Sequence, residues 1–369
     1  MVEWKKLGDV CEIKTGKGIT QKDCSDEYSY PVMSGGQTPM GMYFQFNREA
    51  NTTTISRVGA YAGFVSFVKE KFYCNDKCFS VIPKKQDVFD SRFLYVVLKH
   101  KEESIKKLQS EGGVPTINTK KLGNILIPIP FIEEQQRIAG ILDTFSFAID
   151  NLEEQIAQRR KQYEYYRDQL LDLEGKEGVE MKTLGEIGEF IRGNGIQKND
   201  FVEEGLGCIH YGQIHAKYGF SAEETISKIE EPLYKKCKKA QKGDVVLATT
   251  SEDAEGVAKP FVWLGNEKVA VSGDAFIYHH HQNGKFMGYQ FLTHKFMQFK
   301  VKYATGAKVV RISGDSMAKF EVALPSLEKQ NEIVDILDKF EASIQNLEAQ
   351  LSQREKQYEY YRNKLLTFE

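Results

Sequence analysis

A stretch of 21 residues occurs twice in this 369-residue chain. Residues 151–171 and 346–366 are identical at 15 of the 21 aligned positions, and both contain the heptamer KQYEYYR. Weaker similarity extends upstream of both copies. A match of this length indicates an internal repeat, so the chain is organised as block, helix, block, helix.

Apolar residues in each copy recur at alternating steps of four and three. In the first copy they are Ile138, Leu142, Phe145, Ile149, Leu152, Ile156, Tyr163, Tyr166 and Leu170, with Arg159 at the one position that is not apolar, and the second copy has their equivalents 195 positions later. A 3.5-residue period held over nearly five heptads predicts a coiled-coil seam. Roughly 36 residues at about 1.5 Å each would form a helix about 55 Å long. We expect the two helices to pair antiparallel within the chain; pairing with another copy of the protein is the alternative.

The blocks that precede the helices are also related, but more loosely. Block one opens with KKLGDVCEIKTGKGITQKD and block two with KTLGEIGEFIRGNGIQKND. Each continues with β-branched and aromatic runs broken by glycine, a helical stretch and a proline-tipped strand. This order predicts an α+β fold: two domains separated by two long antiparallel coiled-coil helices, in a pseudo-two-fold internal repeat. The predicted domains are 1–130 and 176–325, and the predicted helices are 131–175 and 326–369.

Charge alternates in sign along the chain although the net charge is only -2. Residues 1–128 hold 19 Lys+Arg against 14 Asp+Glu, and residues 129–180 hold 6 against 12. Residues 181–326 hold 19 against 17, and residues 327–369 hold 6 against 9. The blocks and the helices therefore face different partners. Net-positive blocks beside net-negative helices favour nucleic acid as the ligand of the blocks.

Several loops of the blocks carry side chains suited to DNA. Arg, Lys, Asn and Gln match the donors and acceptors of base edges, while Lys and backbone amides match phosphates. The candidate DNA-binding residues are Lys17, Gln21, Lys22, Gln37, Arg57, Tyr61, Arg192, Asn194, Gln197, Lys198, Tyr211, Gln213, Lys308 and Arg311. Ordinary solvation of a surface loop is the alternative for each of them.

The heptamer also retains residues that a seam does not require. Tyrosines at seam positions pack their rings along the helix pair. The residues expected off the seam, and the candidates for a subunit interface, are Glu164, Tyr165 and Arg167 with their counterparts Glu359, Tyr360 and Arg362. Retained outer side chains predict an external protein that meets both helices in the same way.

Signatures of catalysis or metal binding are missing from the sequence. There is no phosphate loop ending in GK[ST], no H-E-x-x-H and no G-x-S-x-G. His279, His280 and His281 would alternate faces on a strand, and the Cys74 and Cys78 pair lacks a second pair to complete a zinc site. We predict no catalytic residue and no metal. Without an apolar run that fits a membrane span or secretory signal, a cytoplasmic location is expected.

A shared motif, P-x-x-E-x-Q-x-x-I-x-x-I-L-D, leads into both helices. It reads Pro130, Glu133 and Gln135 in the first copy and Pro325, Glu328 and Gln330 in the second. The next letters differ, QR in one copy and NE in the other. With two variable blocks that each open with LG-[DE]-[VI], the whole chain resembles the specificity subunit of a bacterial type I restriction–modification system.

This resemblance implies that each block is a target-recognition domain that reads one half of a bipartite, asymmetric site in double-stranded DNA. The helices would form the spacer and dock two methyltransferase (modification) subunits, with restriction subunits joining the assembly. S-adenosylmethionine, ATP and Mg would be used by those partners, so the resemblance implies no cofactor and no enzyme activity in this chain. A non-catalytic coiled-coil adapter that binds proteins is the alternative, and it would lack the steep loss of affinity with salt that marks a DNA reader.

Overall fold

The computed structural model describes residues 2–110, 112–253, 255–306 and 309–368. The chain forms two compact units. Unit 1 consists of Met1–Glu154 and Glu348–Glu369, and unit 2 of Gln155–Leu347. The boundary between the units crosses two long helices, so each helix contributes one half to each unit.

Unit 1 is a set of small, mainly antiparallel sheets with short helices and the first long helix. Its strands are β1 (Glu3–Lys6), β2 (Cys11–Thr15), β3 (Tyr30–Met33), β4 (Met42–Tyr43), β5 (Thr52–Ser56), β6 (Val65–Val68), β7 (Tyr73–Cys74), β8 (Cys78–Pro83) and β9 (Leu126–Ile129). Its helices are α1 (Leu7–Val10), α2 (Ser91–His100), α3 (Glu102–Lys106), α4 (Thr119–Gly123) and the start of α5 (Ile132–Leu171). The strands form sheets in the orders β2-β8-β5-β6, β4-β3-β7 and β1-β9.

Unit 2 repeats this plan with additions. Its strands are β10 (Glu180–Thr183), β11 (Gly188–Arg192), β12 (Phe201–Val202), β13 (Leu206–Ile209), β14 (Ser221–Ala222), β15 (Ser227–Ile229), β16 (Lys239–Ala240), β17 (Val245–Ala248), β18 (Thr250–Ser251), β19 (Lys259–Trp263), β20 (Val269–Val271), β21 (Ala275–His280), β22 (Val310–Arg311) and β23 (Glu321–Leu324). Its helices are α6 (Leu184–Ile187), α7 (Tyr211–Ala216), α8 (Glu231–Lys236), α9 (Gly284–Gln290), α10 (His294–Tyr303), α11 (Gly314–Met317) and the start of α12 (Leu327–Leu366).

The sheet orders show the repeat directly. The order β11-β21-β17-β19 in unit 2 matches β2-β8-β5-β6 in unit 1, and β14 extends it at one edge. The parallel pair of β13 and β20 matches the parallel pair of β3 and β7. Strands β10 and β23 pair antiparallel, as β1 and β9 do. Two dissimilar sequences thus build one backbone plan, because the apolar positions that fill the sheets recur in the same order.

Both long helices are continuous over 40 residues, and their halves pair antiparallel in each unit. In unit 1 Phe145, near the start of α5, stacks on Tyr361, near the end of α12, with ring centroids 5.2 Å apart. In unit 2 Tyr166, near the end of α5, stacks on Phe340, near the start of α12, at 5.4 Å. These two contacts are the same pair of repeat positions exchanged between the helices. The α+β class and the pair of long antiparallel helices are confirmed.

The predicted seam residues supply the packing between the helix halves. Ile138 and Leu142 are buried in the core of unit 1 together with Leu366. Ile333 and Leu337 are buried in the core of unit 2. The seam residues at the start of each long helix are therefore part of the hydrophobic core of a unit. These contacts hold each half-helix against the sheets of its own unit. Within the described residues, no helix combines the length and apolar character needed to cross a membrane.

A buried glutamine anchors the first long helix to unit 1. Gln135 is completely buried. Its Nε2 donates to the carbonyls of Pro130 at 2.7 Å and Val88 at 2.9 Å, and its Oε1 accepts the backbone N–H of Asp90 at 2.9 Å. Asp90 in turn caps α2 by accepting the Phe93 N–H at 2.8 Å. One side chain therefore ties the start of α5 to the start of the helix that carries the domain core.

Unit 2 contains the equivalent anchor. Gln330 is completely buried. Its Nε2 donates to the Pro325 carbonyl at 3.0 Å and to the Gln282 side chain at 2.9 Å, and its Oε1 accepts the Asn283 N–H at 3.1 Å. Asn283 caps α9 as Asp90 caps α2. The glutamine of the motif that opens both long helices is therefore explained by its role in anchoring each helix to its own unit.

Replacing Gln135 with alanine should destabilise unit 1. The substitution leaves one backbone N–H and two carbonyls without their partner, and the Pro130 carbonyl among them is buried, so we expect a cost of about 2 kcal/mol. Urea unfolding should report this loss, and hydrogen exchange should show faster opening of α2. Gln136→Ala, a change at the exposed neighbouring position, is the matched control and should leave both readouts unchanged. Equal stability of the two variants would contradict the anchoring role.

Candidate nucleic-acid interface and helix surface

The loop after β2 in unit 1 is held tightly at both ends. Gly16 packs so closely on β7 that a Cβ there would lie 1.5 Å from the Cys74 carbonyl oxygen. Asp23 closes the other end by accepting the Thr20 backbone N–H at 2.7 Å. The loop exposes Lys17, Gln21 and Lys22. A rigid loop with exposed basic and amide side chains is well suited to contact a phosphate backbone and base edges.

The loop after β11 in unit 2 has the same construction. A Cβ on Gly193 would lie 2.2 Å from the Ser272 carbonyl oxygen. Asp200 accepts the Gln197 backbone N–H at 2.6 Å. This segment exposes Arg192, Gln197 and Lys198. The backbone is therefore shared between the two loops, while the side chains presented on it differ.

In unit 1 the turn between β7 and β8, residues Asn75–Lys77, gathers several loops. Asn75 Nδ2 donates to the Ile19 carbonyl of the first loop at 3.0 Å. Arg57 donates from Nη1 to the Asp76 carbonyl at 3.2 Å. The exposed side chains of this turn were not predicted as site residues, because only the folded chain brings the turn beside the basic loops.

Gln37 and Tyr61 lie on loops joined to the same edge of unit 1. The Ser56 hydroxyl donates to the Gly36 carbonyl at 2.9 Å, which fixes the loop that carries Gln37. Both Gln37 and Tyr61 are exposed. The predicted residues of the first block therefore lie on neighbouring loops that share hydrogen bonds.

In unit 2 the turn between β20 and β21, residues 272–274, has the equivalent place. Arg192 Nε donates to the Gly273 carbonyl at 3.0 Å. The Tyr211 backbone N–H donates to the Ser272 hydroxyl at 2.9 Å. The structure thus gathers predicted residues of the second block around a turn that matches the one in unit 1.

Two of the predicted side chains are partly occupied with structural contacts. Asn194 Oδ1 accepts the Lys238 backbone N–H at 2.5 Å and so ties its loop to a lysine-rich segment. Arg57 is half-buried and lies 5.7 Å above the Phe79 ring. Both can still present polar atoms at the surface, but their conformations are set by the fold.

Gln213, a predicted DNA-binding residue, is turned into the protein in this structure. Its side chain is only 7% exposed. Nε2 donates to the Ser227 hydroxyl at 2.6 Å, and Oε1 accepts the His210 backbone N–H at 3.4 Å, so the amide caps the first turn of α7. His210 and Gln213 form a capping box at the start of α7. In the sequence, the polar residues of such a cap look like those of an exposed loop. Lys308, another predicted residue, lies outside the described residues.

A cleft of about 420 Å³ lies beside Tyr211 in unit 2. It is lined by Tyr211, His215, Thr250, Ser251, Glu252, Asp253 and Val309. Arg311 is exposed at its edge, since its strand β22 pairs Arg311 with Thr250. Glu252 and Asp253 of this lining were not predicted as site residues, because the prediction rested on basic and amide side chains. Carboxylates are acceptors for the amino group of cytosine in the major groove.

The three consecutive histidines, His279, His280 and His281, lie in different environments, as expected for residues that alternate faces along a strand. His279 Nδ1 lies 2.8 Å from a carboxylate oxygen of Asp244. His280 is buried, which lowers its pKa to about 4, and His281 is exposed. Over the ranges that the structure describes, no group of three or more His, Cys, Asp or Glu side chains is placed to hold a metal ion.

On the long helices, the outer positions of the heptamer are largely free of the seam. Tyr165 is 61% exposed and Tyr360 is 60% exposed. Glu164 and Glu359 are exposed beside them. Equivalent aromatic and acidic side chains therefore stand on the surface of α5 and of α12.

Arg167, expected at an outer position, is largely buried. Arg167 is 9% exposed, lies 5.7 Å above the Tyr163 ring and binds Asp168 at 2.9 Å. Arg362 is half-buried and covers Tyr358 at the same distance of 5.7 Å. Each arginine folds back onto the tyrosine one turn earlier and shields it.

Comparison with known proteins gives a consistent result. The chain is 26% identical over 384 residues to the type I restriction enzyme EcoR124I/EcoR124II specificity subunit of Escherichia coli, covering 100% of this chain and 94% of that protein. It is 25% identical over 396 residues to the type I restriction enzyme MjaVIII specificity subunit of Methanocaldococcus jannaschii, covering 99% and 92%.

Solved structures show the same fold. The crystal structure of the type I restriction-modification system S subunit from M. genitalium matches with a TM-score of 0.68 at 18% identity, covering 100% of this chain and 97% of that one. A family model described as the type I restriction modification DNA specificity domain matches residues 1–159 and 176–355. The chain therefore belongs to the family of type I restriction–modification specificity subunits, which supply DNA specificity and not catalysis.

Proposed function

We propose that residues 1–130 and 176–325 are two target-recognition domains that read the halves of a bipartite, asymmetric site in double-stranded DNA. The main support is that one loop arrangement recurs in both units with different side chains. Glycines with no room for a side chain hold the first loop in each unit, and matching turns gather the neighbouring loops. A shared backbone with different polar groups is what two readers of different sequences require.

We also propose that helices α5 and α12 set the gap between the two half-sites. Each helix runs without interruption from one unit into the other. Forty residues at 1.5 Å each span about 60 Å. A stiff connection lets both readers bind only when the half-sites lie at one separation and one helical phase, so the gap becomes part of the recognised sequence.

In this proposal the surfaces around Glu164 and Tyr165, and around Glu359 and Tyr360, dock two methyltransferase subunits, one on each helix. Exposed tyrosines are typical anchors of protein interfaces. Restriction subunits would join the assembly. A chain of the same fold, with a TM-score of 0.59 at 18% identity, comes from a solved structure concerned with complex assembly of the type I R-M system. S-adenosylmethionine, ATP and Mg would be held by the partners, and this chain would bind no cofactor.

Single substitutions in the loops should change DNA binding in two distinct ways. Gln37→Ala and Gln197→Ala should each relax base preference in one half-site, since a good base contact provides about 1–3 kcal/mol of discrimination. Lys22→Ala and Lys198→Ala should each lower the slope of log K against log[salt] by about one, since each would lose a phosphate contact. Selection from randomised duplexes and titrations at several salt concentrations, with methyltransferase present, measure these effects.

Lys121→Ala and Lys319→Ala are matched controls for the lysine variants. Both lysines are exposed and lie in the segments that lead into the long helices. They should leave the salt slope unchanged. If the affinity for DNA does not fall as the salt concentration rises, in the parent chain and in the variants alike, DNA reading is excluded and a protein-binding adapter is favoured.

Lengthening both long helices by one heptad should widen the recognised gap. The insertions are placed at the unit boundary, after Glu154 and after Leu347, so that the seam residues keep their faces. Seven residues add about 10 Å of rise, which corresponds to about three base pairs of 3.4 Å. Selection from duplexes with variable gaps should return the same two half-sites further apart. An unchanged gap would contradict the role of the helices as spacer.

Tyr165→Ala and Tyr360→Ala should each remove one methyltransferase subunit from the complex. Truncating an interface aromatic anchor costs about 2 kcal/mol or more, which is about a thirtyfold loss of affinity. Native mass spectrometry near the dissociation constant should show complexes with a single methyltransferase subunit for each variant. Glu332→Ala, an exposed change near the start of α12, should retain both. Full occupancy in both tyrosine variants would exclude these docking surfaces.

A further inference from the structure

The first loops of the two units align residue by residue, and the alignment pairs a lysine with an asparagine. The glycine and the aspartate that hold each loop lie seven residues apart in both units, so the loops align without a gap. This alignment places Asn194 at the position of Lys17. Lys17 is exposed, whereas Asn194 is half-buried and accepts the Lys238 backbone N–H on its Oδ1 at 2.5 Å. In unit 2, a lysine from another segment therefore lies beside the loop position that lacks one.

The neighbouring segment shows the reverse exchange. The parallel pairs of β3 with β7 and of β13 with β20 align Cys74 with Val271. In unit 1 the Cys74 N–H donates to the side chain of Asn47 at 2.7 Å. In unit 2 the Val271 N–H donates to the backbone carbonyl of Lys238 at 3.1 Å. Asn47 also adjoins its first loop, because a Cβ on Gly16 would lie 3.2 Å from Asn47 Nδ2. Asn47 and Lys238 thus occupy equivalent places.

The side chain of Lys238 differs from those of the lysines around it. Lys235 is paired with Glu231 at 2.7 Å, and Lys239 Nζ donates to the Cys237 carbonyl at 2.9 Å. Lys238 is exposed, and both of its contacts with the fold come from its backbone. Within the part of the chain that the structure describes, its ammonium group has neither an ion pair nor a hydrogen bond. The fold therefore fixes the position of Lys238 and leaves its charge available to a ligand.

We propose that Lys238 contacts a DNA phosphate in the half-site of unit 2, as Lys17 does in the half-site of unit 1, and that Asn194 is a positioning residue. The inference rests on the proposed function and changes the role of Asn194 from reading a base to holding the segment of Lys238. Each unit then carries one lysine and one asparagine at this point, contributed by opposite segments.

The exchange is consistent with two half-sites of different sequence. A phosphate contact fixes the position of the protein on the duplex but carries no sequence information. Either segment can therefore supply the lysine, while the remaining loop residues of each unit read different bases.

Salt titrations of DNA binding by the full-length chain, with methyltransferase present, test the two lysines. Lys17→Ala and Lys238→Ala should each lower the slope of log K against log[salt] by about one, and the double variant by about two. Lys242→Ala is the matched control. This exposed lysine follows β16, whereas Lys238 precedes it, and its Nζ binds Asn266 at 2.9 Å. The control should keep the parent slope.

A rescue variant tests the equivalence of the two positions. In the Lys238→Ala chain, Asn194→Lys should return the salt slope to the parent value, because it places a lysine where unit 1 has one. Equal urea midpoints of Lys238→Ala and the parent are expected, since alanine retains both backbone hydrogen bonds. An unchanged slope in Lys238→Ala, or no return of the slope with Asn194→Lys, would overturn the phosphate contact.

Asn194→Ala separates positioning from base reading. In the parent chain it should weaken DNA binding about fivefold through the loss of one hydrogen bond, with unchanged base preference in selection from randomised duplexes. In the Lys238→Ala chain it should have no further effect on affinity, because the two residues act together. A relaxed base preference, or an equal loss in both chains, would overturn the positioning role. Failure of the proposed function would appear differently, as a parent chain whose affinity for DNA does not fall with salt.

Discussion

The structure depends on the packing of the two long helices against each other, to which aromatic rings contribute in both units. Phe145 meets Tyr361 in one unit, and Tyr166 meets Phe340 in the other. Phe145 and Phe340 are equivalent positions of the repeat, and so are Tyr166 and Tyr361, so each helix contributes one phenylalanine and one tyrosine to these contacts. Each helix therefore buries its seam against the other. A single-copy ancestor of such a helix would expose this apolar stripe unless it paired with a second chain. The duplication places both copies in one polypeptide and leaves the two blocks free to diverge.

The anchor glutamines and the first-loop glycines divide the molecule into constant and variable parts. Gln135 and Gln330 make nearly identical buried hydrogen bonds, and Gly16 and Gly193 leave no room for any side chain. These positions hold the backbone. The side chains exposed on the loops around them differ, so recognition can change without a cost to the fold. This arrangement agrees with the specificity family to which the chain belongs.

The helices and the α+β class were predictable from the sequence because periodicity and repetition are local signals that need no knowledge of tertiary contacts. The position of Arg167 was not, because a heptad pattern shows the seam but not whether a long side chain folds back onto its neighbour. The burial of Gln213 was not predictable either, because its amide donates to Ser227, 14 residues away, and such a contact forms only in the folded chain.

The proposed function requires one chain to read two DNA half-sites across a fixed gap. Methylome sequencing of cells that carry this gene with its methyltransferase tests that claim most directly. It should return a single asymmetric motif of two defined half-sites separated by an undefined segment of one length. A contiguous motif, or half-sites methylated over a range of gap lengths, would contradict the account.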